Sequence, residues 1–311
     1  MLDVVRPDGG SSREQRGPLL ESDLAARVRR IRLRTHRLVT TALSGGYRST
    51  FRGQGLEFSE VRAYQPGDDV RRIDWNVSAR LRKIYIKRLV EERELTVLLI
   101  VDLSASGHFG TSGITKRELA AELAGTLAMS AIRNNDRVGL ILFTGEVEHY
   151  LPPRKTRQHV QRLLRDLLTH TPRSEGTNLT RALDFAGRVT HRPALIFLLT
   201  DLHDEGYESA LKSANQRHDL LVFQITDPRE QTLPDVGLAL VQDAETGDVL
   251  EVDTGDPSVR TAYEQATAQR QEAAREFLRR SRIGHLELRT DKPWSNPLRT
   301  FLTLQARRRV A

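Results

Sequence analysis

The stretch Leu95-Thr-Val-Leu-Leu-Ile-Val-Asp102-Leu-Ser104-Ala-Ser106 decides the fold of this 311-residue chain. Its first part, 95–101, is almost continuously apolar, which is typical of a strand buried on both faces of a parallel sheet. Its second part brings one carboxylate and two hydroxyl groups to the point where the strand ends. Because open parallel sheets bind ligands at the carboxyl ends of their strands, the stretch predicts a functional site as well as a strand.

Strand and helix patterns alternate on the C-terminal side of this stretch. Apolar runs predict strands at 137–143, 194–200 and 220–226, with a hairpin strand at 147–151. Amphipathic spacing predicts helices at 116–133, 156–168, 179–189 and 208–217. This alternation indicates an α/β fold with a doubly wound, mostly parallel sheet and right-handed crossovers. A hairpin around 245–248 and helices at 258–280 and 297–304 complete the C-terminal part.

The N-terminal side has a different texture, and the sequence predicts three units. Residues 1–20 are rich in Gly, Ser, Pro and charge and are expected to be a flexible tail. Residues 21–93 are expected to form an N-terminal helix followed by a loop- and β-rich subdomain, and 94–311 the α/β domain. Within the second unit, 21–43 predicts a basic amphipathic helix, and 44–93 is expected to be loop-rich with a strand at 83–91.

Composition excludes several classes of protein. There is no cysteine, which removes disulfide scaffolds, thiolate metal centres and cysteine nucleophiles. Lysine plus arginine outnumber aspartate plus glutamate by 48 to 41, a small excess that is spread along the chain. No apolar run approaches the roughly 20 residues of a membrane span, and the N-terminus lacks the apolar core of a signal peptide. A cytoplasmic location is therefore expected, with peripheral membrane association as an alternative.

Three separate segments supply oxygen ligands at predicted strand ends or loops. Their candidate metal ligands are Asp102, Ser104, Ser106, Thr177 and Asp201. All are hard oxygen donors, which favours Mg²⁺, with Mn²⁺ or Ca²⁺ as alternatives. Two carboxylates would neutralise a dication, and the neutral hydroxyls would leave it able to accept a carboxylate from another protein. Each segment taken alone also suits a helix cap or a turn, and only their combination points to a metal.

The three segments together resemble a known site. Asp102-x-Ser104-x-Ser106, Gly176-Thr177-Asn178-Leu179 and Thr200-Asp201 are similar to the metal-ion-dependent adhesion site of von Willebrand factor type A domains. The similarity extends from about residue 95 to residue 227. It implies a sheet of the von Willebrand factor A type and Mg²⁺ held by the five residues above. It also implies that a partner's acidic side chain binds the metal directly.

A second resemblance covers most of the chain. It rests on Phe51-Arg-Gly-Gln-Gly-Leu-Glu-Phe58, Arg62-x-Tyr64-x-Pro66-Gly-Asp-Asp69 and Arg71-Arg-Ile-Asp-Trp-Asn76, followed by Ser78-Ala-Arg80. These segments resemble a prokaryotic domain-of-unknown-function family, number fifty-eight. Members of that family carry a type A domain downstream and are commonly encoded beside MoxR-type AAA+ ATPases. The resemblance therefore implies a MoxR-type ATPase, or a client of it, as the partner.

The arginines of this second motif have two interpretations. Arg62, Arg71, Arg72 and Arg80 are candidates for a docking surface for an acidic partner. The same arginines lie close in sequence to several acidic residues, and an internal ion-pair network that fixes a loop-rich segment is the simpler interpretation. His203, two residues after Asp201, is expected to face solvent.

The sequence thus favours a non-enzymatic, metal-dependent adaptor, and two rivals stay open. A metal-dependent phosphoesterase or phosphotransferase would use Asp102 as a nucleophile, although Ser104 stands where a second acidic group is expected. A nucleic-acid-associated protein would use the basic helix at 21–43 and Arg307-Arg308-Arg309, but no aromatic residues are interleaved with these arginines. No Gly-x-x-x-x-Gly-Lys-Ser/Thr motif occurs, so the chain is not expected to be a P-loop ATPase.

Overall fold

The structure is a computed structural model that describes residues 2–5, 31, 57–90, 94–108, 110–111, 113–174, 176–243 and 249–310. Its strands are β1 (Leu2–Val5), β2 (Glu57–Ala63), β3 (Tyr85–Val90), β4 (Thr96–Asp102), β5 (Arg137–Phe143), β6 (Val147–Arg154), β7 (Leu195–Thr200), β8 (Asp219–Thr226), β9 (Leu238–Asp243), β10 (Val249–Asp253) and β11 (Gly284–Arg289). Its longer helices are α1 (Trp75–Leu81), α2 (Lys116–Arg133), α3 (Arg157–Thr169), α4 (Leu179–Val189), α5 (Glu208–Arg217), α6 (Pro257–Arg280) and α7 (Ser295–Val310).

A six-stranded sheet forms the centre of the molecule, in the order β11-β8-β7-β4-β5-β6. All neighbouring pairs are parallel except β5 and β6, which form the antiparallel edge. The apolar strand β4 lies between β7 and β5, and its residues 97–101 are inaccessible to solvent. The predicted mixed α/β fold with a mostly parallel sheet is confirmed.

Helices cover both faces of the sheet because successive side chains of a buried strand point to opposite faces. Val97, Leu99 and Val101 of β4 pack in one core with α2, α3 and α7. Leu98 and Ile100 pack in the other core with α4, α5 and α6. The helices begin at polar caps that the sequence supplies. For example, Thr115 and Glu118 form a reciprocal capping box at the start of α2.

Four residues of the expected N-terminal tail form a strand. Leu2–Val5, expected to belong to a flexible tail, form β1, which pairs antiparallel with β9. The rest of the expected tail lies outside the described residues. So does the predicted helix at 21–43, apart from Ile31, which is helical and buried in the core of α2 and α3.

Residues 44–93 were expected to be loop-rich with one strand, and the structure adds a strand and a helix that the sequence pattern did not indicate. The predicted strand is present as β3, and it pairs with β2, which was missed. The helix α1 was also missed. Asp74 begins it by accepting hydrogen bonds from the backbone of Asn76 and Val77. The segment is short and alternates irregularly, so its pattern alone does not separate it from loops.

The C-terminal hairpin β9–β10 joins β1 in a separate three-stranded sheet. The turn at 244–248 lies outside the described residues. Across the described part of the chain, no helix combines the length and the apolar character that crossing a lipid bilayer requires.

Candidate metal-binding site

The candidate site is built at the carboxyl edge of the central sheet, where β4 and β7 lie side by side. Asp102 is the last residue of β4, and its Oδ2 atom accepts a hydrogen bond of 2.8 Å from the hydroxyl of Thr200, the last residue of β7. The Oδ1 atom of Asp102 accepts a 2.9 Å hydrogen bond from the backbone N–H of Ser104. The Asp102 carboxylate is therefore fixed by two strands and by the turn that follows it.

The two serines of this turn connect Asp102 to the end of β7. Residues 105–108 form a short 3₁₀ helix, which holds the Ser104 and Ser106 hydroxyl oxygens 3.0 Å apart. The Ser106 hydroxyl donates a 2.6 Å hydrogen bond to Oδ2 of Asp201. Both serines are buried. Four of the five predicted ligands thus form one cluster linked by hydrogen bonds.

Thr177 reaches the same edge of the sheet through its loop. The next residue, Asn178, donates its backbone N–H to the carbonyl oxygen of Thr144, just after β5, at 2.9 Å. The backbone N–H of Leu179 donates to Oδ2 of Asp204, just after β7, at 2.7 Å. Thr177 is half-buried between these anchors, and the hydrogen-bonded cluster is formed by Asp102, Ser104, Ser106 and Asp201.

Gly176 serves this loop through its backbone conformation. Its φ of +73° lies in the left-handed region that favours glycine. A Cβ atom placed on it would meet nothing within 4 Å, so the backbone conformation favours glycine here and a close approach of other atoms does not.

Two charged residues that the sequence analysis missed complete the surroundings of Asp201. The ammonium of Lys116 donates to Oδ2 of Asp201 at 2.7 Å and to Oε1 of Glu230 at 2.5 Å. Both side chains of each ion pair are at least nine-tenths buried. Lys116 is the first residue of α2, where a positive charge opposes the helix dipole. A lysine at this unfavourable position is the signal in the sequence that its charge is compensated by residues outside the helix.

His203 also lies against Asp201, and its expected exposure to solvent was wrong. Its Nδ1 atom is 3.1 Å from Oδ2 of Asp201, and its side chain is 23% exposed. The backbone turns at Leu202, whose φ of 62° is uncommon for a residue with a side chain. Asp201, His203 and Glu230 each offer one possible ligand atom, and these atoms lie within 4.8 Å of one another.

The electrostatics of the two aspartates differ sharply. Burial and the neighbouring charge of Asp201 raise the pKa of Asp102 to about 7. Burial would also raise the pKa of Asp201, but Lys116 and His203 outweigh it and hold that pKa well below its usual range. Burial likewise disfavours the charged form of Lys116, yet Asp201 and Glu230 raise the pKa of its ammonium. Asp201 is therefore already compensated, while Asp102 lacks a positive partner in the described part of the chain.

The cluster opens into a small cleft that is suited to an ion. Its cavity measures about 20 Å³ and is lined by Asp102, Ser104, Ser106, Lys116, Thr200 and Asp201, among others. This volume holds about one water-sized sphere, and organic ligands need several hundred Å³. The oxygen donors suit a hard dication, and the uncompensated charge of Asp102 favours one. Lys116 competes for Asp201 within the same space.

The candidate docking arginines do not act as one group. Arg62 makes a two-point ion pair with Asp68, with its Nη2 atom 2.6 Å from Oδ1. Arg71 and Arg80 are exposed. The side chain of Arg72 lies outside the described residues. The internal ion-pair interpretation therefore holds for Arg62, while Arg71 and Arg80 are accessible to a partner.

The protein is similar to known proteins over different shares of its length. It is 33% identical over 299 residues to the uncharacterised protein Rv1480 of Mycobacterium tuberculosis, covering 95% of this chain and 94% of that one. It is 28% identical over 109 residues to the uncharacterised protein YeaD of Bacillus subtilis, covering 35% of this chain and 25% of that one.

Two solved structures align with this chain at low sequence identity and low TM-score. The conserved hypothetical protein BatB from Bacteroides thetaiotaomicron is 19% identical with a TM-score of 0.43, and the match covers 68% of this chain and 99% of BatB. An aerotolerance-related membrane protein from Bacteroides fragilis is 20% identical with a TM-score of 0.45, covering 69% of this chain and 99% of that one.

One family model matches residues 60–273, more than two thirds of the chain, and it is described as a protein of unknown function, DUF58. The matched range contains the four candidate docking arginines, five of the six strands of the central sheet and every candidate metal ligand. The chain belongs to the DUF58 family.

Proposed function

We propose that this protein is a non-enzymatic adaptor whose central domain is of the von Willebrand factor A type and binds Mg²⁺ at the sheet edge. The single observation that carries the proposal is the convergence of Asp102, Ser104, Ser106 and Asp201 in one hydrogen-bonded cluster. These residues come from two strands and a turn, and they offer only oxygen atoms to a cavity of ionic size. A cytoplasmic location, expected from the sequence, is part of this proposal.

In this proposal the metal is held by Asp102, Ser104 and Ser106, with Thr177 and Asp201 nearby. The bound ion supplies a Lewis acid that accepts a carboxylate from the partner. The protein's own residues prepare the site. Thr200 fixes the orientation of the Asp102 carboxylate, and Ser106 connects the turn to Asp201. Because Asp102 has no positive partner among the described residues, a cation there removes an electrostatic penalty.

The proposed partner is a MoxR-type AAA+ ATPase or a client of that ATPase, bound through an acidic side chain. This part of the proposal rests on the family resemblance seen in the sequence. It gains physical support from the exposed arginines Arg71 and Arg80, which can steer an acidic surface toward the molecule. Metal coordination then supplies the specific contact.

The metal half of the proposal is tested by calorimetric titration of the purified protein with Mg²⁺, Mn²⁺ and Ca²⁺. We expect saturable binding of Mg²⁺ that Asp102→Ala abolishes. Asp291→Asn is the control, because Asp291 is an aspartate that pairs with Arg289 at the surface and does not line the metal cleft. Equal Mg²⁺ affinity in wild type and Asp102→Ala would refute the metal site.

The partner half is tested with a purified MoxR-type ATPase encoded in the same genome. We expect a complex in the presence of Mg²⁺, and we expect EDTA or Asp102→Ala to dissociate it. A complex that forms equally well with EDTA contradicts metal-mediated docking. If the protein binds Mg²⁺ but does not bind the ATPase, the proposed metal site stands and the proposed partner is wrong.

The phosphoesterase alternative keeps one supporting feature, which is a carboxylate and a lysine that line the same cleft. The position two residues after Asp102 is Ser104, which cannot exchange a proton as a second aspartate would. The cavity of about 20 Å³ also leaves little room for a phosphoester. Incubation with generic phosphoesters and Mg²⁺ tests it, and turnover that Asp102→Asn removes would favour the enzyme over the adaptor.

A further inference from the structure

A second cavity lies on the opposite side of the sheet from α2, between the neighbouring helices α4 and α5. Its volume is about 480 Å³, which is within the range of small-molecule sites. Its lining shares no residue with the metal cleft. Its lining includes Leu183, Asp184, Arg188, Ala214, Arg217 and His218.

Two arginines, one from each helix, stand at this cavity. Arg217, the last residue of α5, reaches across to α4, where its Nη1 atom lies 3.4 Å from the position that a Cβ on Gly187 would take. Arg188 is the next residue along α4, and its guanidinium lies 5.7 Å from the centre of the Phe185 ring. Neither arginine has a carboxylate partner within the described part of the chain. The two positive charges are therefore available to a ligand.

His218 provides an independent sign that something binds here. It lines the cavity and is only 8% exposed, yet both of its ring nitrogens lack a hydrogen-bond partner among the described residues. Its backbone N–H is used by the carbonyl oxygen of Ala214, which fixes the residue at the end of α5. A buried polar group without a partner costs about 1–3 kcal/mol, so its retention here calls for a ligand or a bound water.

The chemistry of the lining selects the class of ligand. Guanidinium groups match the oxygens of phosphate in geometry and charge, and the imidazole of His218 can add a hydrogen bond. Leu183, Ala210 and Ala214 give the cavity an apolar part, and its volume exceeds what inorganic phosphate fills. Asp184 on the rim can accept hydrogen bonds from hydroxyl groups of the same molecule.

We infer that the cavity between α4 and α5 binds a small organic phosphate, with the phosphate group at Arg188 and Arg217 and the organic part over Ala210 and Ala214. The site is separate from the metal cleft, so it stands or falls independently of the proposed adaptor function. A soluble phosphate ester and the headgroup of a phospholipid share this chemistry, and the experiment separates them.

The test is calorimetric titration of the full chain with adenosine 5′-monophosphate, glycerol 3-phosphate and inorganic phosphate. We expect saturable binding of at least one ester, tighter than that of inorganic phosphate. Arg217→Gln and Arg188→Gln should each weaken it by about tenfold or more, as expected for loss of a charge-assisted hydrogen bond. Arg157→Gln is the matched control, because Arg157 is an exposed helical arginine outside the cavity. Circular dichroism verifies that the variants are folded.

Two further measurements complete the design. In nuclear magnetic resonance spectra, the ring signals of His218 should shift on addition of the ester, while those of the distant His159 should not. Binding to phosphatidic acid vesicles, lost in Arg217→Gln and without binding of either ester, assigns the site to a lipid headgroup. The inference would be overturned by absence of binding to esters and vesicles, or by equal binding by Arg217→Gln and wild type. A bound water would then be the partner of the His218 ring.

Discussion

The ammonium group of Lys116 lies 2.7 Å from the Oδ2 atom of Asp201, and the same oxygen accepts the hydroxyl of Ser106 at 2.6 Å. A side chain from the first turn of α2 thus neutralises a carboxylate at the end of β7. Asp102, at the end of the adjacent strand, has no such partner in the described part of the chain. The protein carries its own cation on one half of the candidate site, and the proposed metal ion would compensate the other half.

Replacing Lys116 should distinguish the contribution of this internal cation from that of an added divalent ion. Lys116→Met leaves the buried carboxylates of Asp201 and Glu230 without their positive partner, which should lower the free energy of unfolding by about 3–5 kcal/mol without divalent ions. Mg²⁺ should then stabilise Lys116→Met more than it stabilises wild type, because the competing ammonium is gone. Urea unfolding with EDTA and with Mg²⁺ measures both effects.

The control for this prediction is Lys155→Met. Lys155 pairs with Glu94 on the surface, so its removal should change stability little and leave the effect of Mg²⁺ unaltered. A Lys116→Met protein as stable as wild type in EDTA would mean that the buried ion pairs contribute nothing.

The stability of the metal-free protein should depend on the charge of Asp102. Its pKa is raised to about 7 in the folded state, so its favourable contribution is present below pH 4 and is lost as pH rises through 7. Asn at this position cannot ionise. Asp102→Asn should therefore gain stability relative to wild type between pH 5 and pH 8, measured by urea unfolding in EDTA. A difference that stays constant over this range would contradict the raised pKa.

Asp227 should show the opposite dependence on pH. Burial would raise its pKa, but hydrogen bonds from the hydroxyls of Thr290 and Thr111 outweigh burial and lower it. Its stabilising contribution is therefore present at neutral pH and is lost as pH falls below about 4. Asp227→Asn should cost about 1–3 kcal/mol at pH 7, because an amide presents N–H groups where acceptors are needed.

Urea unfolding at a series of pH values measures this cost, with Asp291→Asn as the surface control. The difference between wild type and Asp227→Asn should shrink toward acid pH. A cost that is independent of pH would assign the role of Asp227 to packing alone.

The exposed arginines give a prediction about docking. Arg71→Ala and Arg80→Ala should each change the free energy of unfolding by less than about 0.5 kcal/mol, because both side chains are exposed. If these arginines steer an acidic partner, the double variant should slow association with the MoxR-type ATPase at low salt and have less effect at high salt. Association rates identical to wild type at low salt would exclude them from docking.

The regular elements of the central domain were predictable from local pattern. The apolar run around β4 and the helical spacing of α2 determine their structure within the chain itself, and α2, α4, β5 and α5 have the predicted bounds. The N-terminal strand β1 was missed because strand pairing with β9, more than two hundred residues away, stabilises it. The composition of residues 1–20 is typical of a flexible tail.

The candidate site was predictable as far as each ligand follows a strand or begins a helix. Asp102, Ser104, Ser106 and Asp201 met this condition, and they lie together. The sequence pattern did not predict Lys116, Glu230 and His203 as site residues. Their roles depend on which side chains face them across the sheet edge. Burial of Lys116 against two carboxylates is a property of the packed helix and not of its sequence.

The order of apolar runs along the chain, by itself, determined that a mostly parallel sheet forms and that its carboxyl edge carries hard oxygen donors, since both follow from periodicity and chain direction. Only the tertiary structure decided how the charges at that edge are balanced. Electrostatic energy falls with distance and rises with burial, and both quantities are set by packing between residues far apart in the chain.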